Sequence, residues 1–431
     1  MSLSRRNFLS LLGASATGTV LLSPLQNFYR KAAAGSPPYG LGFGELVPDP
    51  QGIFDLPAGF QYKVLAYSGG KLSDGKPVPL YPDGMAAFPV AGGKTALICN
   101  HELGARQTPG VTATTADTYD PVASGGTTTI ILNRAREVEQ HHVSLAGTMR
   151  NCAGGATPWG TWISCEENIM TPQIDPAFQQ KHGYNFEVKP TGLSTPIPLR
   201  AMGRFNHEAI AVDPATGYVY QTEDRNDSCI YRFRPKQNGN LAAGGRLEAL
   251  AIAGQKTFDT TKTFPQDKSF AVEWLPLENV DPASDTLRYE AQEKGAAIFK
   301  RGEGMIYGQG KIYWTCTSGG DRNRGQIFEY TPASNQLRLF VEAAQSGILE
   351  YPDNLTIAPF GDLIVCEDGS PDQFLFGVNP AGECYRFARN AVSGSELAGV
   401  CFSPDGQTMF VNIYQPGMTL AIWGPWQKPL T

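Results

Sequence analysis

From about residue 55 onward, apolar residues occur in short runs and show little helical spacing. The runs are separated by clusters of Gly, Pro, Asp and Asn. Short apolar runs bounded by turn residues are typical of β-strands. The pattern therefore predicts an all-β chain whose strands are joined by tight turns.

The predicted strands come in repeated sets. Each set has a short acidic phrase, an apolar strand, a Gly-containing turn, a second apolar strand and a polar cluster, and there are six sets. Five contain the phrases DGMAAFPVAGGKTALICNHE, NHEAIAVDPATGYVYQTED, GEGMIYGQGKIYWTCTSGGD, PDNLTIAPFGDLIVCEDG and SELAGVCFSPDGQTMFVNIYQPG. The sixth, NCAGGATPWGTWISCEEN, has Cys in the first acidic slot. Regular repeats of three or four strands predict a single six-bladed β-propeller over residues 55–431.

Three segments stand outside the repeat. We predict a signal peptide at 1–34, an N-terminal extension at 35–54, and an insertion at 251–292 between the third and fourth blades, with a strand at 270–274.

A propeller brings equivalent positions of its blades together around one channel. The slot at the head of the first strand holds Asp83, Cys152, Glu208, Glu303, Asp353 and Glu396. The slot after the second strand holds Glu102, Glu166, Glu167, Glu223, Asp224, Glu367 and Asp368, with Asp321 as a weaker match. The sequence thus predicts a metal cluster at the channel mouth, bound by a ring of five carboxylates and one thiol within a second acidic set.

The net charge disfavours one class of function. The 35 basic and 41 acidic residues give a formal net charge of −6, and four of the bases lie in residues 1–34, which contain no acid. The remainder therefore carries −10, which argues against a nucleic-acid-binding protein. An acidic excess instead favours hard cations, which prefer oxygen ligands.

The N-terminus contains a twin-arginine pattern at Arg5 and Arg6, followed by a modest apolar stretch and a small-residue run at 32–34. This predicts a signal peptide for twin-arginine export, to the periplasm or the medium. The alternative is an uncleaved membrane anchor, but the stretch falls short of the about 20 apolar residues that a span needs. No stable membrane span is expected.

Most of the eight cysteines fit a buried, unpaired state. Cys99, Cys165, Cys316 and Cys366 come late in apolar runs, where a free Cys behaves as a small hydrophobe. Cys152 differs because it stands in the acidic slot of its repeat.

The predicted ring needs cations. Carboxylates packed together repel one another and raise one another's pKa. Their oxygens suit calcium, whereas the softer thiolate of Cys152 indicates a transition metal. Two alternatives stay open: the acids only follow turns, as Asp213 and Asp405 do, or Cys152 is buried or disulfide-bonded.

Two arginines stand near ring positions. Arg301 lies two residues before Glu303, and residues two apart in a strand face the same side. A guanidinium there can bind phosphate through two parallel hydrogen bonds, so we predict a catalytic role for Arg301, aided by Arg204. The alternative is that each arginine only pairs with a ring acid.

Two Asn-His-Glu triplets place His101 and His207 beside predicted ligands. We predict that these histidines, with Asn206, orient the ligands by hydrogen bonding and do not bind metal themselves. No P-loop, serine nucleophile elbow or HExxH motif is present in the sequence. A hydrolase with this sequence would depend on metals to activate its nucleophile.

Several phrases together resemble the PhoX family of secreted bacterial alkaline phosphatases. They are NHELG at 100–104, NCAGGATPWGTWISCEEN at 151–168, GRFNHEAIAVD at 203–213, RGEGM at 301–305 and YPDNL at 351–355. The resemblance implies a six-bladed propeller, twin-arginine export, a cluster of iron and calcium, and hydrolysis of small phosphomonoesters.

The resemblance also implies residue roles. Cys152 would ligate iron, with Glu208 and Glu303 as nearby carboxylate ligands, and Arg301 would bind the substrate phosphate. Further ligands of calcium or iron would come from Glu102, Glu166, Glu167, Glu223 and Asp224.

We therefore expect a metal-dependent phosphomonoesterase, monomeric, whose partners are its substrates and the twin-arginine export machinery. Two other classes remain open: a calcium-dependent propeller lactonase or esterase, and a non-catalytic binding propeller that calcium only stabilises.

Overall fold

A computed structural model of the chain describes residues 42–343, 348–369 and 371–426. This part of the chain is an all-β, propeller-like arrangement with 26 strands and one α-helix. The predicted signal peptide and the first residues of the predicted N-terminal extension lie outside the described residues. Within the described ranges, none of the helical segments has the length and apolarity required to cross a bilayer.

Three strands precede the repeats: β1 (Leu46–Val47), β2 (Phe54–Pro57) and β3 (Gln61–Tyr67). The chain then forms six consecutive antiparallel runs, which we call meanders 1 to 6. Meander 1 comprises β4 (Pro82–Val90), β5 (Lys94–His101), β6 (Gly125–Leu132) and β7 (Val138–Thr148). Meander 2 comprises β8 (Asn151–Ala156), β9 (Trp162–Glu166) and β10 (Asn185–Val188). Meander 3 comprises β11 (His207–Val212), β12 (Val219–Glu223), β13 (Tyr231–Pro235) and β14 (Gly245–Ile252).

A segment with β15 (Ser269–Pro276) and the helix α1 (Leu287–Lys294) separates the two halves. Meander 4 comprises β16 (Gly302–Gly308), β17 (Lys311–Cys316), β18 (Gln326–Thr331) and β19 (Gln336–Glu342). Meander 5 comprises β20 (Pro352–Ile357), β21 (Leu363–Glu367), β22 (Phe374–Val378) and β23 (Cys384–Asn390). Meander 6 comprises β24 (Leu397–Phe402), β25 (Met409–Ile413) and β26 (Met418–Trp423).

Hydrogen bonding groups the described strands into five sheets, fewer than the six separate blades that the sequence predicts. The difference comes from β15, which pairs with both β14 and β19 and so joins meanders 3 and 4 into one nine-stranded sheet. β2 extends meander 5 by pairing with β23. β3 pairs with β26, so the first part of the chain completes the last meander.

The first strands of the six meanders form a closed circle. β4 contacts β8, which contacts β11, and the contacts continue through β16, β20 and β24 back to β4. An apolar cluster lies between each pair of neighbouring meanders. Between meanders 3 and 4, for example, Tyr220 packs in one cluster with Trp314 and Phe328. Burial of these faces supplies the main driving force for the circular arrangement.

Each first strand carries a register shift close to its start. A β-bulge at such a point places two residues opposite one and re-aims a side chain. Little space remains beside the bulge: a Cβ at Gly399 would lie 2.2 Å from the carbonyl oxygen of Asp83, and one at Gly304 would lie 2.6 Å from that of Asp353. Glycine is required at these positions because neighbouring first strands approach so closely.

The next-to-last residue of a second strand links one meander to the next. The side chains of Asn100, Thr222, Thr315 and Asn412 donate to the main-chain carbonyls of Cys152, Glu303, Asp353 and Asp83, at 3.1, 2.5, 2.7 and 2.6 Å respectively. The last of these bonds connects meander 6 back to meander 1. Cys165 and Cys366 occupy the same position in meanders 2 and 5.

The cysteine prediction is confirmed in the described residues. All eight cysteines are unpaired, and seven of them are buried, with Cys384 half-buried. Cys152 therefore has no disulfide partner, which removes one of the alternatives for this residue.

Thr315→Val tests the links between meanders. It keeps the side-chain shape but leaves the buried carbonyl of Asp353 without its donor, so the free energy of unfolding should fall by about 1–3 kcal/mol. Urea denaturation measures the change. The same substitution at exposed Thr112 should alter stability by less than about 0.5 kcal/mol. A Thr315→Val protein as stable as the wild type would contradict a role for the link.

Candidate metal centre

The register of the first two strands defines an inner ring. In each meander, one residue directly follows the first paired residue of the opening strand; it lies within the register shift in meanders 1 to 5 and just before it in meander 6. These six inner-ring residues are Asp83, Cys152, Glu208, Glu303, Asp353 and Ala398. Five of the six positions therefore carry a carboxylate or a thiol, in agreement with the order of the sequence repeats.

The sixth position corrects the sequence-based assignment of Glu396. Leu397 pairs with Ile413 as Pro82 pairs with His101, so the register places Ala398 in the inner ring and Glu396 two residues before it. Glu396 still lies near the other acids. Its pKa is raised to about 9 by burial and then by the charge of Asp368.

Two further sets surround the inner ring. Rim residues directly precede each first strand: Tyr81, Arg150, Asn206, Arg301, Tyr351 and Glu396. Flank residues directly follow each second strand: Glu102, Glu167, Asp224, Thr317, Asp368 and Tyr414. In every meander the flank N–H donates to the rim carbonyl, over distances of 2.9 to 3.2 Å. The three sets are thus held in one geometry that repeats around the circle.

Two groups of donor atoms are close enough to share an ion. One ligand atom from each of Cys152, Glu167 and Glu208 lies within 4.8 Å of the others, and the same holds for Glu208, Glu303 and Asp353. Glu208 belongs to both groups. Three of the four inner-ring carboxylates, Glu208, Glu303 and Asp353, are therefore brought together with the Cys152 thiol, and Glu167 lies beside them.

Crowding and burial act together on these acids. Burial raises the pKa of Glu208 well above its usual range, and the nearby charges of Glu167 and Asp353 add to the effect. Burial, followed by the charge of Asp368, raises the pKa of Asp353 to about 8. Burial and then Glu208 raise the pKa of the Cys152 thiol. Such a set of donors suits a bound cation, because positive charge restores their ionised, ligating form.

Arg301 lies among these acids as the sequence predicts. Its Nε donates to Asp224 at 3.0 Å, and its Nη2 donates to Glu303 at 2.6 Å. Its backbone has a φ of 52°, a left-handed conformation that is uncommon outside glycine. One third of the side chain remains exposed, so the guanidinium is fixed by acids and still accessible at the mouth.

Arg150 is a residue that the sequence analysis overlooked. Its guanidinium pairs with Glu102 at 2.5 Å and also with Glu167. The sequence does contain a signal for Arg150: it stands two residues before Cys152, just as Arg301 stands two residues before Glu303.

The structure does not bring Arg204 to the ring. Its side chain is 1% exposed, and its guanidinium donates to the main-chain carbonyls of His182, Pro282, Ala283 and Ile169. Arg204 stands four residues before Glu208, but β11 begins only at His207, so the alternation of a strand does not extend to it. Arg204 instead ties three loop segments together.

Adjacent acids at the ends of second strands have different surroundings. Glu166, Glu223 and Glu367 are buried and accept hydrogen bonds from the chain that returns from the second strand. Glu166, for example, accepts from the N–H groups of Met149 and Gly183. The flank residues Glu167, Asp224 and Asp368, one position further on, lie in the acidic cluster. Asp321 lies apart in an exposed loop, where it accepts from the N–H of Thr263.

The predicted orienting residues differ in what they contact. Asn206 donates to Glu167 at 2.8 Å, so it does fix a cluster acid. His101 bonds to the carbonyl of Leu80 and the hydroxyl of Thr128, while His207 bonds to the carbonyl of Gly203 and stacks on Phe205. Burial lowers the pKa of His101 to about 4 and that of His207 to about 3, so both imidazoles are neutral near pH 7.

A comparison with models of protein families matches residues 41–141 and 134–417 to the family described as alkaline phosphatase PhoX. The chain belongs to the PhoX family. The resemblance in the sequence motifs is thereby confirmed, and the chain is an enzyme of a family that hydrolyses phosphomonoesters. Dependence on bound metal is a property of PhoX phosphatases, and the thiol and carboxylates described above are donors that can meet it.

A solved PhoX structure agrees with the propeller-like fold. The structure of Pseudomonas fluorescens PhoX in complex with vanadate, a transition state analogue, matches with a TM-score of 0.70 at 20% identity, covering 89% of this chain and 98% of that one. A gluconolactonase from Xanthomonas campestris matches at 0.48 and 11% identity, covering 89% and 99%. Virginiamycin B lyase from Staphylococcus aureus matches at 0.42 and 12% identity, covering 84% and 99%. A comparison with curated proteins found no significant match.

One buried charge cluster in this PhoX member lies outside the ring. His182 contacts Glu166 at 2.6 Å and Asp120 at 3.6 Å, and all three side chains are inaccessible to solvent. Burial by itself would lower the pKa of His182, but the two acids outweigh it and raise the pKa to about 9.

His182 predicts a pH dependence of stability. Because its folded-state pKa is raised above the unfolded value of about 6.5, its contribution is complete below pH 6.5 and is lost as the pH rises towards 9. The free energy of unfolding should therefore fall by about 2–3 kcal/mol over that range. Urea titrations at several pH values measure the slope. His182→Gln should be less stable at pH 6 and show a flatter profile, and an equal slope in both proteins would refute the assignment.

Proposed function

We propose that the chain is a metal-dependent phosphomonoesterase that binds the substrate phosphate with Arg301 at the mouth of the inner ring. The observation that carries this proposal is the placement of an accessible guanidinium against Glu303 and Asp224, beside a buried thiol and carboxylates, in a member of the PhoX family. The vanadate complex of Pseudomonas fluorescens PhoX supports it, because vanadate there is an analogue of the transition state.

We also infer that the six meanders are the blades of a six-bladed propeller. Their first strands make one closed circle, and an apolar cluster separates each neighbouring pair. On this interpretation β15 is a bridge between two blades and not a seventh repeat. The metal cluster would lie at the mouth of the central channel.

Iron and calcium are the proposed metals. Cys152, Glu167 and Glu208 would hold an iron ion, because a thiolate among carboxylates favours a transition metal. The oxygen donors of Glu208, Glu303 and Asp353 would suit iron or calcium. Asp83, Glu102, Asp224, Asp368 and Glu396 are proposed as further ligands, and Glu166, Glu223 and Glu367 remain weaker candidates because main-chain donors already occupy them.

The chain's own residues would act by binding and orientation. When bound, the metals would supply Lewis-acid chemistry and offset the charge of the carboxylates. Arg301 would bind phosphoryl oxygens and stabilise the charge that develops on them. Asp224 and Glu303 fix its guanidinium, so little reorganisation is needed when substrate arrives.

We propose export by the twin-arginine machinery, with the phosphate released outside the cytoplasm. The support is the Arg5-Arg6 pattern and the family to which the chain belongs. A monomeric state is proposed on the sequence alone.

Substitution of Arg301 and Cys152 tests the activity. Arg301→Ala should lower kcat/KM for a chromogenic phosphomonoester by about 100-fold or more, because a charged donor to the transition state is removed. Arg301→Lys should recover only part of it, since lysine lacks the planar fork.

Cys152→Ala should abolish turnover together with bound iron. Cys384→Ala, which changes a half-buried cysteine on β23, is the matched control and should keep both. Full activity in both Arg301→Ala and Cys152→Ala would rule out the proposed site.

Metal content separates this proposal from the alternatives. Elemental analysis of the exported protein should find both iron and calcium, and a chelator should abolish turnover and lower the melting temperature, because buried acids lose their counter-charge. Calcium without iron, together with lactone turnover, would instead indicate a lactonase. A chelator effect on melting alone, with no hydrolysis under any metal condition, would indicate a binding protein.

A further inference from the structure

Arg150 and Arg301 occupy the same position in different meanders. Both are rim residues: Arg150 directly precedes β8 in meander 2, and Arg301 directly precedes β16 in meander 4. Both have left-handed backbones, with φ of 48° and 52°. Two residues later, each strand presents an inner-ring ligand candidate, Cys152 or Glu303. The repeat thus directs two guanidinium groups to the same level of the mouth.

The two guanidinium groups use the same nitrogens, Nε and Nη2, to bind their acidic partners. Arg301 uses Nε for Asp224 and Nη2 for both Asp224 and Glu303. Arg150 uses Nε for Glu167 and Nη2 for both Glu167 and Glu102. In Arg301, Nη1 has only a distant contact with Asp368, at 3.9 Å. Within the described ranges, Nη1 of Arg150 has no hydrogen-bond partner among protein atoms. Each arginine therefore keeps N–H groups for an outside acceptor.

The exposure of the Arg150 side chain distinguishes it from an arginine that only neutralises buried acids. Its side chain is 43% exposed, whereas Glu102 and Glu167 are 12% and 13% exposed. The acids are thus covered while their guanidinium partner faces the mouth. Arg288 offers a contrast: it pairs with Glu223, Asp227 and Asp285 and is only 7% exposed.

A continuous set of contacts joins Arg150 to Arg301. Arg150 pairs with Glu167, which accepts from Asn206, and Asn206 also donates to the carbonyl of Asp224. Asp224 in turn binds Arg301. Three consecutive rim positions therefore carry arginine, asparagine and arginine, whereas the other three carry Tyr351, Glu396 and Tyr81. All the positive charge of the rim lies on one half of it.

We propose that Arg150 is a second substrate-binding residue that, with Arg301, binds the oxygens of the substrate phosphate on the half of the rim formed by Arg150, Asn206 and Arg301. This inference rests on the proposed phosphatase function. The phosphate faces that half because both guanidinium groups lie on it.

The test measures binding of inorganic phosphate to the metal-containing protein by calorimetry. Arg150→Gln should weaken binding by about tenfold or more, because charged hydrogen bonds to the anion are removed. Arg150→Lys should weaken phosphate binding less, since lysine keeps the positive charge but lacks the planar pair of donors. Metal content, measured by elemental analysis on the same samples, should stay at the wild-type level in Arg150→Lys.

Arg389→Gln is the matched control. Arg389 is 40% exposed and pairs with the buried Asp55, but it lies on β23, outside the three ring sets. This variant should bind phosphate like the wild type. If Arg150→Gln loses metal, the comparison of Arg150→Lys with the wild type decides the question.

Two negative results are distinguishable. Unchanged phosphate affinity in the Arg150 variants, with the wild type binding phosphate and hydrolysing phosphomonoesters, would overturn the role of Arg150 alone. A wild-type protein that neither binds phosphate nor hydrolyses phosphomonoesters would overturn the proposed function together with this inference.

Discussion

The burial of several carboxylates within a few ångströms of one another is the constraint on which the mouth of this protein depends. Each ionised acid makes the next harder to ionise, and burial removes the water that would otherwise screen them. Glu208 shows this constraint clearly, because it belongs to both groups of closely spaced donor atoms and the charges of neighbouring acids raise its pKa. The folded chain therefore needs positive charge at this place, from the two rim arginines and from the metals of its family.

The backbone holds these acids in place through neighbouring meanders. An inner-ring side chain projects from a bulge, and in four meanders the carbonyl of that same residue is bound by a side chain from the preceding meander. The direction of each such candidate ligand is thus set by the neighbouring meander as well as by its own strand. The shape of the candidate metal centre is consequently a property of the whole circle. Apolar packing between meanders supplies stability, and the polar links supply the register.

The sequence was informative where a chemical phrase repeats with fixed spacing. Asp83, Cys152, Glu208, Glu303 and Asp353 were all found because each stands in the slot at the head of the first strand of its repeat. In the last repeat the sequence-based assignment is wrong, because an acid, Glu396, stands two residues before Ala398, which occupies the inner-ring position. The small residue that follows the slot would have given the correct register: Gly399 follows Ala398 as Gly84 follows Asp83.

Other features depend on strand ends and long-range pairing, which the spacing of residues in the sequence does not reveal. Whether Glu166 or Glu167 joins the cluster depends on where β9 ends, since adjacent residues there have different partners. Arg204 was placed wrongly because the strand begins after it. The joining of two meanders by β15 depends on long-range pairing that a local pattern cannot show.

The pairing of β3 with β26 has a consequence for the order of assembly. Strands from the two ends of the chain must meet before the circle is closed, and such long-range contacts form slowly because their loop entropy is lost first. The acids of meanders 1 and 6 come together only at that step. A growing chain that has not yet made its last strands therefore carries most of the candidate ligands but cannot yet bring them together.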